Sequence, residues 1–282
     1  MRRQLVVGLA ALLPLVAAAP AVAEESSPLG SPVYLALGDS VPAGVGAVPK
    51  VSGYPELLED LLDADYNPAA DKATGRSLAD FQLENRAVAG ATTATLISDQ
   101  LPGALALITE RNGDRDPKND VEVITVTIGG NDVFGPVTAA CITTATPTGC
   151  QATVEAALAG VRERLAEILG KLVAAAGRDT EVVVTTYYNP IGSCFLTGLN
   201  RLAPAIADVV LEGGAVPDVL SLSLQAGLND VIRQVAANTG AQVTDLYGAL
   251  DPSEYVGGRD CLHPNAAGHV TIAEELYATL AR

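Results

Sequence analysis

A serine and an asparagine, each beside glycine or aspartate at the end of an apolar run, and a histidine three residues after an aspartate are the residues most able to do chemistry in this chain. Ser40 lies in Gly38-Asp39-Ser40-Val41-Pro42-Ala43-Gly44, directly after the run Val33–Leu37. A serine at a strand-to-helix turn exposes its hydroxyl. Its own N–H, at a helix start, is an unpaired donor suited to a developing oxyanion. The same position would also suit a helix N-cap. Asn131 lies in Gly129-Gly130-Asn131-Asp132, after the run Val121–Ile128. Its amide can donate to an oxyanion, although Gly-Asn-Asp also makes an ordinary strand-end turn.

His263 lies in Asp260-Cys261-Leu262-His263-Pro264, and the chain has only one other histidine, His269. Imidazole is the usual base for serine hydrolysis near neutral pH. Asp260, three residues earlier, is close enough to fix its tautomer. His269 has no neighbouring carboxylate in the sequence and reads as structural. Asp39 and Asp132 read as loop braces.

Five β-branched runs alternate with helical patterns and must position these residues. The expected strands are Val33–Leu37, Leu83–Val88, Val121–Ile128, Glu181–Tyr187 and Gln242–Leu246. The expected helices are Tyr54–Leu62, Val154–Ala176, Val219–Asn238 and Pro264–Ala281. Such alternation implies a parallel sheet covered on both faces, with polar chemistry at the strand C-terminal ends.

Together the four segments GDSVPAG (38–44), NRAVAGAT (85–92), GGND (129–132) and DCLHP (260–264) resemble, in order and spacing, the sequence blocks of the GDSL/SGNH hydrolases. The resemblance covers nearly all of residues 24–282. It implies an α/β fold, a flavodoxin-like three-layer α/β/α sandwich with a five-stranded parallel sheet. It implies a catalytic triad of Ser40, His263 and Asp260, and an oxyanion hole from the N–H groups of Ser40 and Gly90 and the amide of Asn131. The Gly-x-Ser-x-Gly elbow of the α/β-hydrolases is absent around Ser40. The expected activity is hydrolysis of carboxylic esters without metal or organic cofactor. A long-chain lipase or phospholipase, a carbohydrate deacetylase, and a catalytically silent binding protein are alternatives on the same fold.

The start of the chain reads as a secretory leader over residues 1–23: Arg2 and Arg3, an apolar stretch from Leu5 to Ala18, and Ala21-Val22-Ala23 as cleavage site. Residues 24–282 then form one domain, secreted and expected to be monomeric, with no membrane-spanning segment. The formal charge is −16, and −18 without Arg2 and Arg3 (15 basic against 33 acidic residues). Nucleic acid and anionic membranes should repel such a protein, leaving a small-molecule or lipid ester as partner. Four cysteines in an exported chain point to two disulfides. Three pairings are open. The short turn-rich stretch between Cys141 and Cys150 favours that pair, leaving Cys194 with Cys261, both expected at the C-terminal edge of the sheet. Asp63, Asp65 and Asn67, and Asn112, Asp114, Asp116 and Asp120, lack full calcium-loop patterns and read as solvated loops. The Leu- and Ala-rich segment Ser193–Pro217 is a candidate cover for an acyl pocket, or simply core.

Overall fold

The computed structural model describes residues 30–66, 80–114, 116–143, 147–216 and 222–281. The expected leader lies outside these residues, as does Asn67 of the first acidic loop. Asp63 and Asp65, read with it as a solvated loop, instead belong to the helix Tyr54–Tyr66, where Asp63 accepts from the Phe81 N–H. The central sheet contains β1 (Val33–Gly38), β2 (Gln82–Asn85), β3 (Val121–Thr127), β4 (Glu181–Thr185) and β7 (Gln242–Thr244). All its pairings are parallel, in the order β2-β1-β3-β4-β7. Counting sheet strands alone, this is the 2-1-3-4-5 order of flavodoxin-like folds.

Every residue of β1 is buried, as expected for a strand covered on both faces. Its side chains divide by alternation. Val33, Leu35 and Leu37 join one core, with α2 (Leu101–Arg111), α3 (Gly130–Val137), α4 (Pro147–Ala176) and α6 (Leu228–Thr239). Tyr34 and Ala36 join the other, under α1 (Tyr54–Tyr66) and α7 (Ala266–Leu280). These are the three expected layers.

Several boundaries differ from the sequence reading. The expected helix Val219–Asn238 is two elements. Leu222–Leu224 is strand β6, paired antiparallel with β5 (Gly214–Val216) after helix α5 (Ala203–Glu212), and α6 begins only at Leu228. Leu222 and Leu224 are buried while Ser223 is exposed, so the local period is two rather than 3.6. The last helix begins at Ala266, not Pro264. Asn265 caps it by accepting from the N–H groups of Ala267 and Gly268, and Pro264 instead pairs with Tyr255. The second strand stops at Asn85, although the N–H groups of Arg86 and Val88 still donate to Ala36 and Gly38. Helices α2, α3 and α5 were not foreseen. The second acidic loop braces the chain internally: Asn112 accepts from the Val121 N–H, and Asp114 accepts from Asp116 and Asn119.

Candidate active site

The ends of β1, β2 and β3 lie side by side at the point where the strand order reverses, the usual ligand crevice of open parallel sheets. Ser40 follows β1 by two residues. Gly38 brings the chain there at φ +139°, and a Cβ on it would lie 2.0 Å from the Thr127 carbonyl oxygen. The buried Gln100 side chain clamps the same residue, accepting from the Gly38 N–H at 2.9 Å and donating to its carbonyl at 2.8 Å. No helix begins at Ser40, contrary to the sequence reading. Residues 40–46 form consecutive turns, closed by bonds such as Val45 N–H to the Ser40 carbonyl, and α1 starts only at Tyr54. The Ser40 N–H nevertheless has no acceptor among the described residues.

His263 reaches Ser40 from the loop after β7. Its Nε2 is 2.8 Å from Ser40 Oγ, and its Nδ1 lies 2.8 and 3.0 Å from the two Asp260 oxygens. A carboxylate can only accept, so Nδ1 carries the proton and Nε2 accepts from the serine hydroxyl. Burial would raise Asp260, but bonds from the Leu262 N–H and from the His263 ring and N–H outweigh it, and the carboxyl is held below its usual range. The loop is fixed on three sides. Tyr188 donates to the Leu262 carbonyl, the Val256 N–H donates to the His263 carbonyl, and a disulfide joins Cys261 to Cys194 after β4. The second disulfide is Cys141–Cys150.

The sequence profile of the GDSL-like lipase/acylhydrolase family matches residues 36–270 of this chain. The chain belongs to that family. It is 30% identical over 278 residues to Lipase 2 of Streptomyces coelicolor, covering 86% of this chain and 83% of that one. Among solved structures it is similar to the lipase Lip_vut3 from a goat rumen metagenome, at 18% identity and TM-score 0.57, covering 88% of this chain and 97% of the other. It is also similar to an extracellular lipase of Streptomyces rimosus, at 20% identity and TM-score 0.55, covering 88% and 100%. These two likenesses concern the fold.

In this GDSL hydrolase the turn around Gly90, after β2, is tied to the start of α3. Asn131 Nδ2 donates to the Ala91 carbonyl at 2.9 Å, which leaves its second N–H free to donate. The Gly90 N–H, like that of Ser40, has no acceptor among the described residues. Asp132 locks the two segments together. It accepts from the Thr93 N–H and hydroxyl at 2.8 and 2.7 Å and from Arg164 of α4 at 2.9 Å, while Arg164 Nε also donates to the Thr93 oxygen. Asp132 is thus a brace, as its sequence position suggested; Arg164 carried no local signal.

Asp39 is a brace of a different kind. Buried beside Ser40, it accepts from the Val41 N–H at 3.0 Å and from the Tyr187 hydroxyl at 2.5 Å. Burial pushes its carboxyl up to about 6, against the lowering effects of Tyr187, Val41 and His263. The Tyr187 ring also packs on Gly130, where a Cβ would meet it at 2.9 Å.

Replacing Asn131 by alanine is expected to lower kcat by roughly 10²- to 10³-fold, the usual cost of one oxyanion donor, with little change in KM. Steady-state kinetics on a soluble ester checks this. A change confined to KM would make Asn131 a substrate-positioning group instead.

Proposed function

We propose that this hydrolase is a secreted serine esterase that cleaves carboxylic esters through an acyl-enzyme, with residues 1–23 removed on export. The observation that carries the reading is the unbroken chain Asp260–His263–Ser40 at hydrogen-bond distances. His263 Nε2 takes the Ser40 proton as Oγ bonds to the ester carbonyl carbon. The carbonyl electrons move onto its oxygen, where the N–H groups of Ser40 and Gly90 and the Asn131 amide act as donors. The tetrahedral intermediate collapses, and the alcohol leaves with the proton from His263. Water, deprotonated by the same imidazole, then releases the acid and restores Ser40. Each step uses only side chains and backbone donors of this chain.

A specific feature favours acyl chains longer than acetyl. Ser40, Asn131, Phe134 and Leu262 border a small recess. Across Phe134 and Leu262 it adjoins an open, largely apolar groove of about 650 Å³, walled by Ile191, Phe195, Leu196 and His263. That volume lies in the usual range for ligand sites. Phe195 and Leu196 come from the segment read as a cover or as core; Ala203, Ile206 and Val210 of the same segment are buried, while Phe195 on the groove wall is exposed.

With p-nitrophenyl esters from acetate to octanoate, kcat/KM is expected to rise by up to about fourfold per methylene, the equivalent of about 0.8 kcal/mol for each buried CH₂. A profile that falls from acetate onwards would remove the groove as acyl site and favour a deacetylase. No turnover of any ester, with no labelling by a fluorophosphonate, would favour a binding protein.

A further inference from the structure

Among the described residues eight large apolar side chains are exposed, and seven of them follow the C-terminal end of a sheet strand, on the face that carries Ser40. Five belong to three loops that lie against one another: Val48 and Val51, Phe195 and Leu199, and Val256, which are between 47% and 82% exposed. The loops touch through their backbones. A Cβ on Gly46 would come 2.0 Å from the Pro264 carbonyl oxygen and 3.1 Å from the Val256 side chain. The Gly258 N–H donates to Ser193 at 3.3 Å, and the Phe195 N–H donates to Gly258 at 2.9 Å. The apolar groove beside His263 opens within this rim, since Phe195 belongs to both.

Charge on the first two of these loops runs against that of the molecule. The chain has 17 basic and 33 acidic residues. Over residues 44–53 and 190–202 there is no acid, yet Lys50 and Arg201 are both exposed there, and Arg259 is exposed on the third loop. None of the three is in an ion pair among the described residues. The third loop also carries acids: Asp251 is exposed, Glu254 accepts from the Asp251 N–H and the Thr271 hydroxyl, and Asp260 holds His263. Apolar side chains interspersed with unpaired cations fit the boundary between acyl chains and phosphate headgroups. A single-sign anionic surface would still be opposed by the overall charge of −16.

We infer that this rim docks the enzyme on a zwitterionic phospholipid surface, with Val51 and Leu199 entering the acyl boundary, Lys50 and Arg201 meeting phosphates, and the groove facing the lipid. The acyl ester as substrate rests on the esterase reading above; the docking itself does not.

The test separates the two. Full-length Ser40→Ala protein, which leaves lipid intact, is sedimented with phosphatidylcholine vesicles, alone and with Val51→Ser/Leu199→Ser or Lys50→Gln/Arg201→Gln added. The parent is expected to sediment with the vesicles. The apolar pair should weaken partitioning roughly tenfold or more, as expected for two exposed aliphatic anchors, and the cation pair should weaken it severalfold. In the Ser40 background the apolar pair should leave turnover of a soluble short-chain ester unchanged while lowering hydrolysis of vesicle-borne ester. Equal sedimentation of parent and variants, no sedimentation with phosphatidylcholine, or binding only to a triglyceride emulsion would overturn the inference. Vesicle binding without turnover of any soluble ester would instead overturn the esterase reading and leave docking in place.

Discussion

Ser40→Ala is expected to reduce ester turnover by roughly 10⁶-fold, the scale seen when the nucleophile of a serine triad is removed, while the protein stays folded. The only bond that the Ser40 side chain makes among the described residues is the one to His263 Nε2. The turn that carries it is closed by backbone bonds from Ala43, Gly44 and Val45, and by the Asp39 carboxylate on the Val41 N–H. Removing one oxygen leaves all of these in place. Thermal unfolding of the variant should therefore match wild type, and labelling by a fluorophosphonate should vanish. Turnover near the wild-type rate in purified variant would require another nucleophile.

His263→Gln is expected to cost a comparable factor, because the serine hydroxyl then has no base and the leaving alcohol no acid. His269→Gln, the same change six residues on, should retain most activity. His269 is fully buried in the final helix; its Nδ1 accepts from the Tyr54 N–H at 3.2 Å, and its Nε2–H donates to the Val45 carbonyl at 3.1 Å. The two variants also differ in their response to acid. Burial depresses His269 below its ordinary 6.5, so the folded state keeps the ring neutral while the unfolded chain takes up a proton. Stability from this group is therefore full above about pH 6.5 and declines as the pH falls below it. His269→Gln should flatten that part of the stability–pH curve, whereas His263→Gln should remove activity at every pH. Unfolding midpoints and kcat/KM measured between pH 5 and 8 check both. Loss of activity in the His269 variant, with activity retained in the His263 variant, would exchange the two roles.

Much of this arrangement was legible before any coordinates. The runs Val33–Leu37 and Val121–Ile128 are continuous and apolar because both faces of the sheet are covered, and that signal is local. The same holds for the glycines after them, where the chain must turn or approach another strand closely. Ser40 and Asn131 could be singled out because each follows such a run, and Asp260 because it stands three residues from His263. Local patterns failed where two periods compete: the Leu-Ser-Leu of 222–224 alternates like a strand within a stretch also rich enough in apolar residues to read as helix.

Contacts between distant elements left no such trace. Ser40 and His263 are 223 residues apart, and only the closing of β1 and β3 beside the loop after β7 sets them 2.8 Å from each other. Gln100 clamping Gly38, Tyr187 on Asp39, and Arg164 joining Thr93 to Asp132 are single polar residues in helices or at strand ends. Nothing around them in the chain distinguishes them from solvated ones. The apolar rim and its three cations are likewise scattered over three loops in the sequence. A strand's period or a turn's glycine is fixed by neighbours along the backbone, so the amino-acid order alone determines it. Which side chains face one another depends on how the layers pack, and only the tertiary structure decides that.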